Sequence, residues 1–157
     1  MKFLVDAMLS KLAKELRMLG YDTVCCRSDH PREIIDLARQ QERVVVTRNT
    51  RVFAKRSEDR VIHIRKDKPL LQLKELLARE MITLNREALF SRCLLCNCPL
   101  DRIAREMAEG KVPDYIFYHH ETFYQCSHCS RIYWPGSHQE RMQKRLTNAL
   151  CGSSVER

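Results

Sequence analysis

Two Cys-x-x-Cys pairs, Cys93/Cys96 and Cys126/Cys129, separated by 29 residues, constrain this chain of 157 residues more than any other feature. Two intervening residues let a tight turn aim both sulfurs at one point, and two such knuckles supply the four thiolates of a tetrahedral zinc site. Both pairs lie in polar, turn-prone sequence, Ser91 to Asn97 and Gln125 to Ser130, where backbone N–H groups can point back at the sulfurs. Disulfides and coincidence among eight cysteines are the competing explanations. The opening Met-Lys-Phe-Leu-Val-Asp has no apolar leader core, and no apolar run approaches the roughly 18 residues of a membrane span. The chain therefore reads as soluble and cytoplasmic, without a membrane partner, and cysteines at this spacing in a reducing compartment bind structural zinc rather than crosslink. Cys25 and Cys26 end an apolar stretch and are expected in or near the core; Cys98 and Cys151 stand at no ligand spacing.

A chain of this length suits a core of about 90 residues followed by a small metal-stapled module. The expected division is an α/β domain over 1–88 and a zinc ribbon with a C-terminal helix over 89–157. Residues 1–90 carry 19 Lys/Arg and 13 Asp/Glu, an excess of six in the net charge of +8. Nine basic side chains cluster in 43–68 (Arg43, Arg48, Arg51, Lys55, Arg56, Arg60, Arg65, Lys66, Lys68) against three acidic ones. Such a cluster attracts phosphates through counterion release, and the candidate RNA contacts within it are Arg48, Arg51, Lys55 and Arg56. A plain solvated basic face is the alternative.

The periodicity alternates between strand and helix. Lys2 to Val5 is a short apolar strand ending at Asp6, and Met8, Leu9, Leu12, Leu16 and Leu19 recur at helical spacing before a Gly20 stop. Asp22 to Cys26 reads as a second strand, and Asp29 precedes Pro31 and Glu33 as an N-cap precedes a helix, here one running to about Gln41. Val44 to Thr47 suits a buried central strand, a short helix is expected from Thr50 to Lys55, Arg60 to Ile64 is a fourth strand, and a helix starts at Pro69 and runs to about Leu84. This order predicts a parallel sheet flanked by helices and joined by right-handed crossovers.

In such sheets the functional crevice lies beyond the carboxyl ends of the strands. The residues there are polar: Asp6 after the first strand, Asp29 after the second, Thr47, Arg48 and Asn49 after the third, and Asp67 after the fourth. Converging carboxylates are what Mg²⁺ or Mn²⁺ requires, and such ions activate water and stabilise the leaving oxygen of a phosphodiester. Asp29 serves equally well as a helix cap; Asp6, ending an apolar strand, is the stronger catalytic candidate. Glu33 and Asp36 share a helix face and are weaker candidates.

Between the knuckles, Ile103, Met107 and Val112 suggest a short helix and a turn, so 98–114 reads as an ordered insertion. Ile116, Tyr118 and Phe123 read as strand positions within an aromatic-rich stretch that is interleaved with His119, His120, His128 and Arg131. Rings left exposed beside basic groups stack on unpaired bases, and Arg131 and Trp134 are the candidates for that role.

Phe3-Leu4-Val5-Asp6-Ala7-Met8-Leu9, Leu12-Ala13 and Leu16 to Thr23, together with Val46-Thr47-Arg48-Asn49, both knuckles, and Tyr133-Trp134-Pro135-Gly136-Ser137-His138 with Arg141-Met142, resemble the Mut-seven C-terminal RNase domain family. The resemblance spans most of the chain. It implies a PIN-like nuclease fold followed by a zinc ribbon, and a Mg²⁺- or Mn²⁺-dependent endonuclease acting on single-stranded or structured RNA, with Asp6, Asp29 and the position of Asn49 as the catalytic set. Where the family usually has Thr-Arg-Asp this chain has Thr47-Arg48-Asn49, and a neutral amide attracts a divalent cation less than a carboxylate does. The alternative expectation is an RNA- or ribosome-binding protein, partnered by RNA or a ribonucleoprotein, that uses the same surfaces with weakened catalysis.

Overall fold

A computed structural model describes residues 1–55, 60–136, 140, 141, 144 and 148. Arg56, His138, Cys151 and most of the expected C-terminal helix lie outside the described residues. The chain divides into two compact units, Met1–Asn97 and Cys98–Arg157.

The first unit follows the predicted alternation: β1 (Lys2–Asp6), α1 (Ser10–Met18), β2 (Asp22–Cys26), α2 (Pro31–Gln40), β3 (Val44–Thr47), α3 (Thr50–Ala54), β4 (Val61–His63) and α4 (Pro69–Ala78). All pairings are parallel and the strand order is β2-β1-β3-β4. β1 is therefore central, with Leu4 opposite Val24 on one side and Val45 on the other. Its Phe3, Leu4 and Val5 are fully buried, which requires cover on both faces of the sheet. Leu4 and Val45 pack with Ile34, Ile35 and Ala38 of α2 and Val52 of α3. The β1 to β2 connection runs in the opposite direction to the later ones, so right-handed crossovers place α1 on the other face, where it packs against α4.

Helix ends explain the element lengths. α1 stops where Gly20 takes a left-handed conformation (φ 86°), with the Tyr21 N–H donating to the Leu16 carbonyl at 3.0 Å. A Cβ at Gly20 would come within 2.3 Å of the Ala88 carbonyl oxygen, so close backbone approach also selects glycine there. Glu80 (φ 55°) plays the same part after α4, with Met81 N–H donating to the Leu76 carbonyl at 3.0 Å, and this ends the helix at Ala78 rather than near Leu84. No glycine or proline signals that stop in the sequence.

The outer edge of β2 is closed by the segment around the first Cys-x-x-Cys pair. Asn97 Oδ1 accepts from the Thr23 N–H at 2.9 Å, and the buried Arg17 donates through Nε to the Thr23 carbonyl at 2.8 Å. Arg17 also donates through Nη1 to the carbonyls of Leu94 (2.7 Å) and Leu95 (3.1 Å). Asn97 Nδ2 and Arg43 Nη1 both donate to Asp22 Oδ1, at 2.7 and 2.6 Å. These bonds satisfy the Thr23 N–H and C=O on that edge, so neither is available to pair with a further strand.

The second unit holds an antiparallel sheet in the order β5-β6-β7 (Leu100–Ile103, Phe123–Cys126, Ile132–Tyr133), a 3₁₀ turn at Arg105–Ala108 and a helix α5 at Asp114–His119. Ala108, Val112 and Phe123 form its core, with Ile103, Ile116, Phe117, Ile132 and Trp134 packed against them. Two expectations are corrected here. Ile103 is a strand residue, since it pairs with Phe123, and Ile116 and Tyr118 lie on α5, where Pro113 and Asp114 begin a helix that the β-favouring rings concealed.

Burial opposes ionisation of Asp22, but hydrogen bonds from Arg43 and Asn97 and the nearby charges of Arg43 and Arg92 outweigh it and hold its carboxyl below the ordinary value. A lowered carboxyl contributes stability that is present above the unfolded pKa and is lost as pH falls through the folded one. Asp22→Asn is therefore expected to cost about 1–3 kcal/mol in urea unfolding at pH 7 and to flatten the acid limb of the stability curve below about pH 4.

Candidate functional site

The strand order reverses between β1 and β3, so the crevice of the first unit opens beyond the ends of these two strands. Asp6 and Thr47 stand there. Asp6 is 4% exposed and Thr47 fully buried. Asp6 precedes the 3₁₀ turn Ala7–Leu9 but does not cap it with its side chain. Instead its Oδ2 accepts from the Thr47 hydroxyl and, at 3.1 Å, from the Arg48 N–H. Oδ1 of Asp6 is buried and has no hydrogen-bond partner among the described residues. Thr47 Oγ1 in turn accepts from the Asn49 N–H at 2.9 Å. Thr47 is thus the residue that orients Asp6; its signal in the sequence was a hydroxyl ending a β-branched strand.

The other predicted residues fall in different settings. Asn49 is partly buried and caps α3, its Oδ1 accepting from the Arg51 N–H at 2.9 Å. Asp29 is exposed and is not the cap of α2; the N-cap there is His30, and the Ser28 hydroxyl accepts from the His30 N–H and donates to Glu33. Asp36 faces Arg39 at 3.9 Å on the helix surface, and Asp67 pairs with the Arg48 guanidinium. Among the described residues, the one group of three or more metal-ligating side chains close together is cysteine, not carboxylate. Of the basic candidates, Arg51 and Lys55 are exposed, and Arg131 is exposed in the second unit, where Trp134 is partly buried against the core.

The Sγ atoms of Cys93, Cys96, Cys126 and Cys129 lie within 4.8 Å of one another. Tetrahedral zinc at about 2.3 Å from each sulfur needs sulfurs about 3.8 Å apart, a spacing compatible with that bound. The two knuckles share one backbone design. In each, the residue four after the first cysteine donates its N–H to that cysteine's carbonyl, Asn97 to Cys93 at 2.9 Å and Ser130 to Cys126 at 2.8 Å. Both take left-handed conformations, φ 65° at Asn97 and 58° at Ser130. The Cys96 N–H donates to Cys93 Sγ at 3.3 Å, the amide-to-sulfur contact expected of a knuckle. Burial pushes the Cys25 thiol up from its ordinary value, which suits an inert thiol near the core.

A buried aspartate thus stands at the switch point of a parallel sheet flanked by helices, in a chain that also carries four cysteines close enough together to hold a metal ion. The Mut7-C RNAse domain model matches residues 1–146, and the chain belongs to that family. No curated protein and no solved structure gives a significant match.

Two measurements check this geometry. Thr47→Val leaves the Asp6 carboxylate short of a buried donor and is expected to lower unfolding stability by about 1–3 kcal/mol, whereas Thr47→Ser retains most of it. Ser130→Gly relieves a left-handed side chain, worth about 1–2 kcal/mol, against about 0.4–1 kcal/mol of added unfolded-chain entropy, so its melting point should hold or rise slightly. Asn97→Gly is equally free of strain but removes the hydrogen bonds to Thr23 and Asp22, so its melting point should fall. Equal shifts in the two glycine variants would sink the fastening role of Asn97.

Proposed function

We propose that this protein is a divalent-metal-dependent ribonuclease whose reacting phosphodiester sits at the Asp6 crevice. The observation that carries the reading is Asp6 Oδ1, a buried carboxylate oxygen with no partner among the described residues. Leaving such an atom unmatched costs about 1–3 kcal/mol or more, a cost that a cation or a water at the site removes. Mg²⁺ and Mn²⁺ suit a site with few carboxylates, because these ions keep several waters and take further oxygens from substrate phosphates.

Asp6 would hold the ion, with Asp29 as a second acid from the neighbouring strand end. When bound, the ion supplies charge neutralisation at the phosphate and a water of lowered pKa. Thr47 and the Arg48 N–H occupy Oδ2 and leave Oδ1 as the ligand atom. The Arg48 guanidinium, paired with the highly exposed Asp67, can exchange that partner for an RNA phosphate, since an exposed ion pair contributes only about 0–1 kcal/mol. Arg51 and Lys55 extend the positive surface along α3, and Arg131 and Trp134 offer a second contact with RNA.

A second reading, RNA or ribonucleoprotein binding without cleavage, is favoured by one observation. Asn49 brings no charge to the crevice and its Oδ1 is engaged in capping α3. Aspartate caps a helix as well as asparagine does, so Asn49→Asp adds the missing charge while keeping the fold. The deciding assay follows labelled single-stranded and structured RNAs with Mn²⁺. Cleavage that is lost in Asp6→Asn by about a hundredfold or more, and raised in Asn49→Asp, supports the nuclease. Salt-sensitive binding with no cleavage at any Mn²⁺ concentration overturns it in favour of the second reading.

A further inference from the structure

Arg17 stands one residue before the end of α1, buried with Leu12, Ala13 and Leu16 of the same helix, and it is only 8% exposed. A guanidinium withdrawn from water is costly unless its N–H groups find acceptors, so an arginine at such a position marks a contact that the fold requires. Its acceptors are the Thr23 carbonyl on the edge of β2, through Nε at 2.8 Å, and the carbonyls of Leu94 and Leu95, both through Nη1, at 2.7 and 3.1 Å. Leu94 and Leu95 are the two residues between Cys93 and Cys96.

The same turn is held at its other end. Arg92 donates through Nη1 to the Asn97 carbonyl at 2.8 Å and through Nε to the Gly20 carbonyl at 3.1 Å. The Asn97 N–H closes the turn on the Cys93 carbonyl at 2.9 Å, while its side chain bonds Thr23 and Asp22. The carbonyls of Cys93, Leu94, Leu95 and Asn97 are therefore all engaged, and every partner lies in the first unit, Met1–Asn97. Local sequence does little to form this turn. Leucine is not a turn-favouring residue, and Asn97 takes a left-handed conformation, φ 65°, that non-glycine residues populate sparsely. The shape of the knuckle thus comes from the bonds that reach it across the fold.

We propose that Arg17 is a positioning residue of the metal site: it holds Cys93 and Cys96 in their ligand arrangement before any ion is present, so that this half of the ligand set is preformed. This role is independent of the ribonuclease reading. Arginine suits it because a planar fork addresses several acceptors at fixed angles, which a lysine ammonium does not. Preformed ligands bind more tightly because less ordering is left to occur on binding. Outer partners that orient metal ligands typically change affinity by about 10- to 100-fold when removed.

The test uses the full-length protein and Zn²⁺ alone, with affinity read by competition against a chromophoric chelator. Arg17→Met should weaken zinc binding by about 10- to 100-fold. Arg17→Lys, which keeps the charge and loses the fork, should weaken it by at least about tenfold. Ile34→Ala removes buried volume from the core at α2, across the sheet, and should lower the urea midpoint without changing zinc affinity. In the metal-free protein the Cys96 and Asn97 amides, which donate to Cys93 Sγ and to the Cys93 carbonyl, should be protected from hydrogen exchange, and Arg17→Lys should lose most of that protection. Unmodified affinity in Arg17→Lys leaves charge as the whole effect and overturns the positioning role. An equal loss of affinity in Ile34→Ala overturns it too, because the Arg17 effect would then be one of stability. Free exchange of both amides in the metal-free unmodified protein, or no zinc bound by that protein, is equally fatal to it. Where Arg17→Met does not fold, Arg17→Lys and the exchange measurement still decide.

Discussion

The pairing of β1 on both edges, by β2 and by β3, with its three apolar residues wholly buried, is the constraint from which the rest of the first unit follows. A strand buried on both faces demands helices on both sides, and each fully buried side chain there contributes about 1.5–3 kcal/mol. The strand cannot end in a charged residue at this depth without cost, yet it ends in Asp6. The β3 terminus compensates only one oxygen, through the Thr47 hydroxyl and the Arg48 amide. A buried carboxylate with one oxygen unpartnered among the described residues carries an uncompensated desolvation cost at that atom, and this sets Asp6 apart from the more numerous exposed acids.

The Cys93/Cys96 segment is tied to the same sheet by a different device. Arg17, on α1, spans the edge of β2 and the carbonyls of Leu94 and Leu95, while Asn97 closes the Cys93/Cys96 knuckle and the β2 edge at once. Burial lowers Arg17 from its ordinary value, and Cys25, Cys93, Cys96 and Asp22 act in the opposite direction. A cation held near Cys93 and Cys96 would offset part of the negative charge of thiolates there. The first knuckle is therefore fixed within the α/β unit by hydrogen bonds to its own backbone.

The element order of the first unit was legible because periodicity and helix stops are local signals. Lys2–Asp6, Asp22–Cys26 and Val44–Thr47 lie where alternation and β-branching place them, and Gly20 ends α1. Expectation and structure part where local signals are absent or mixed. Glu80 stops α4 without glycine, and aromatic residues on α5 carry β propensity although Pro113 and Asp114 start a helix. In this short helix, packing of Ile116 and Phe117 on the core outweighs that propensity.

Taken alone, the amino-acid sequence determined two Cys-x-x-Cys pairs as a candidate metal set, the parallel α/β order and the candidacy of Asp6, because each pair and each element rests on spacing between near neighbours. Only the tertiary structure decided what the polar atoms do. Asp6, Asp29 and Asn49 were alike as acids or amides near strand ends, yet Asp6 is buried with one oxygen unmatched among the described residues, Asp29 is exposed, and Asn49 caps a helix. The deciding partners come from elsewhere in the chain: Thr47 reaches Asp6 across 41 residues, and Arg17 reaches Leu94 across 77. A hydrogen bond depends on which elements folding brings together, and no local pattern encodes that.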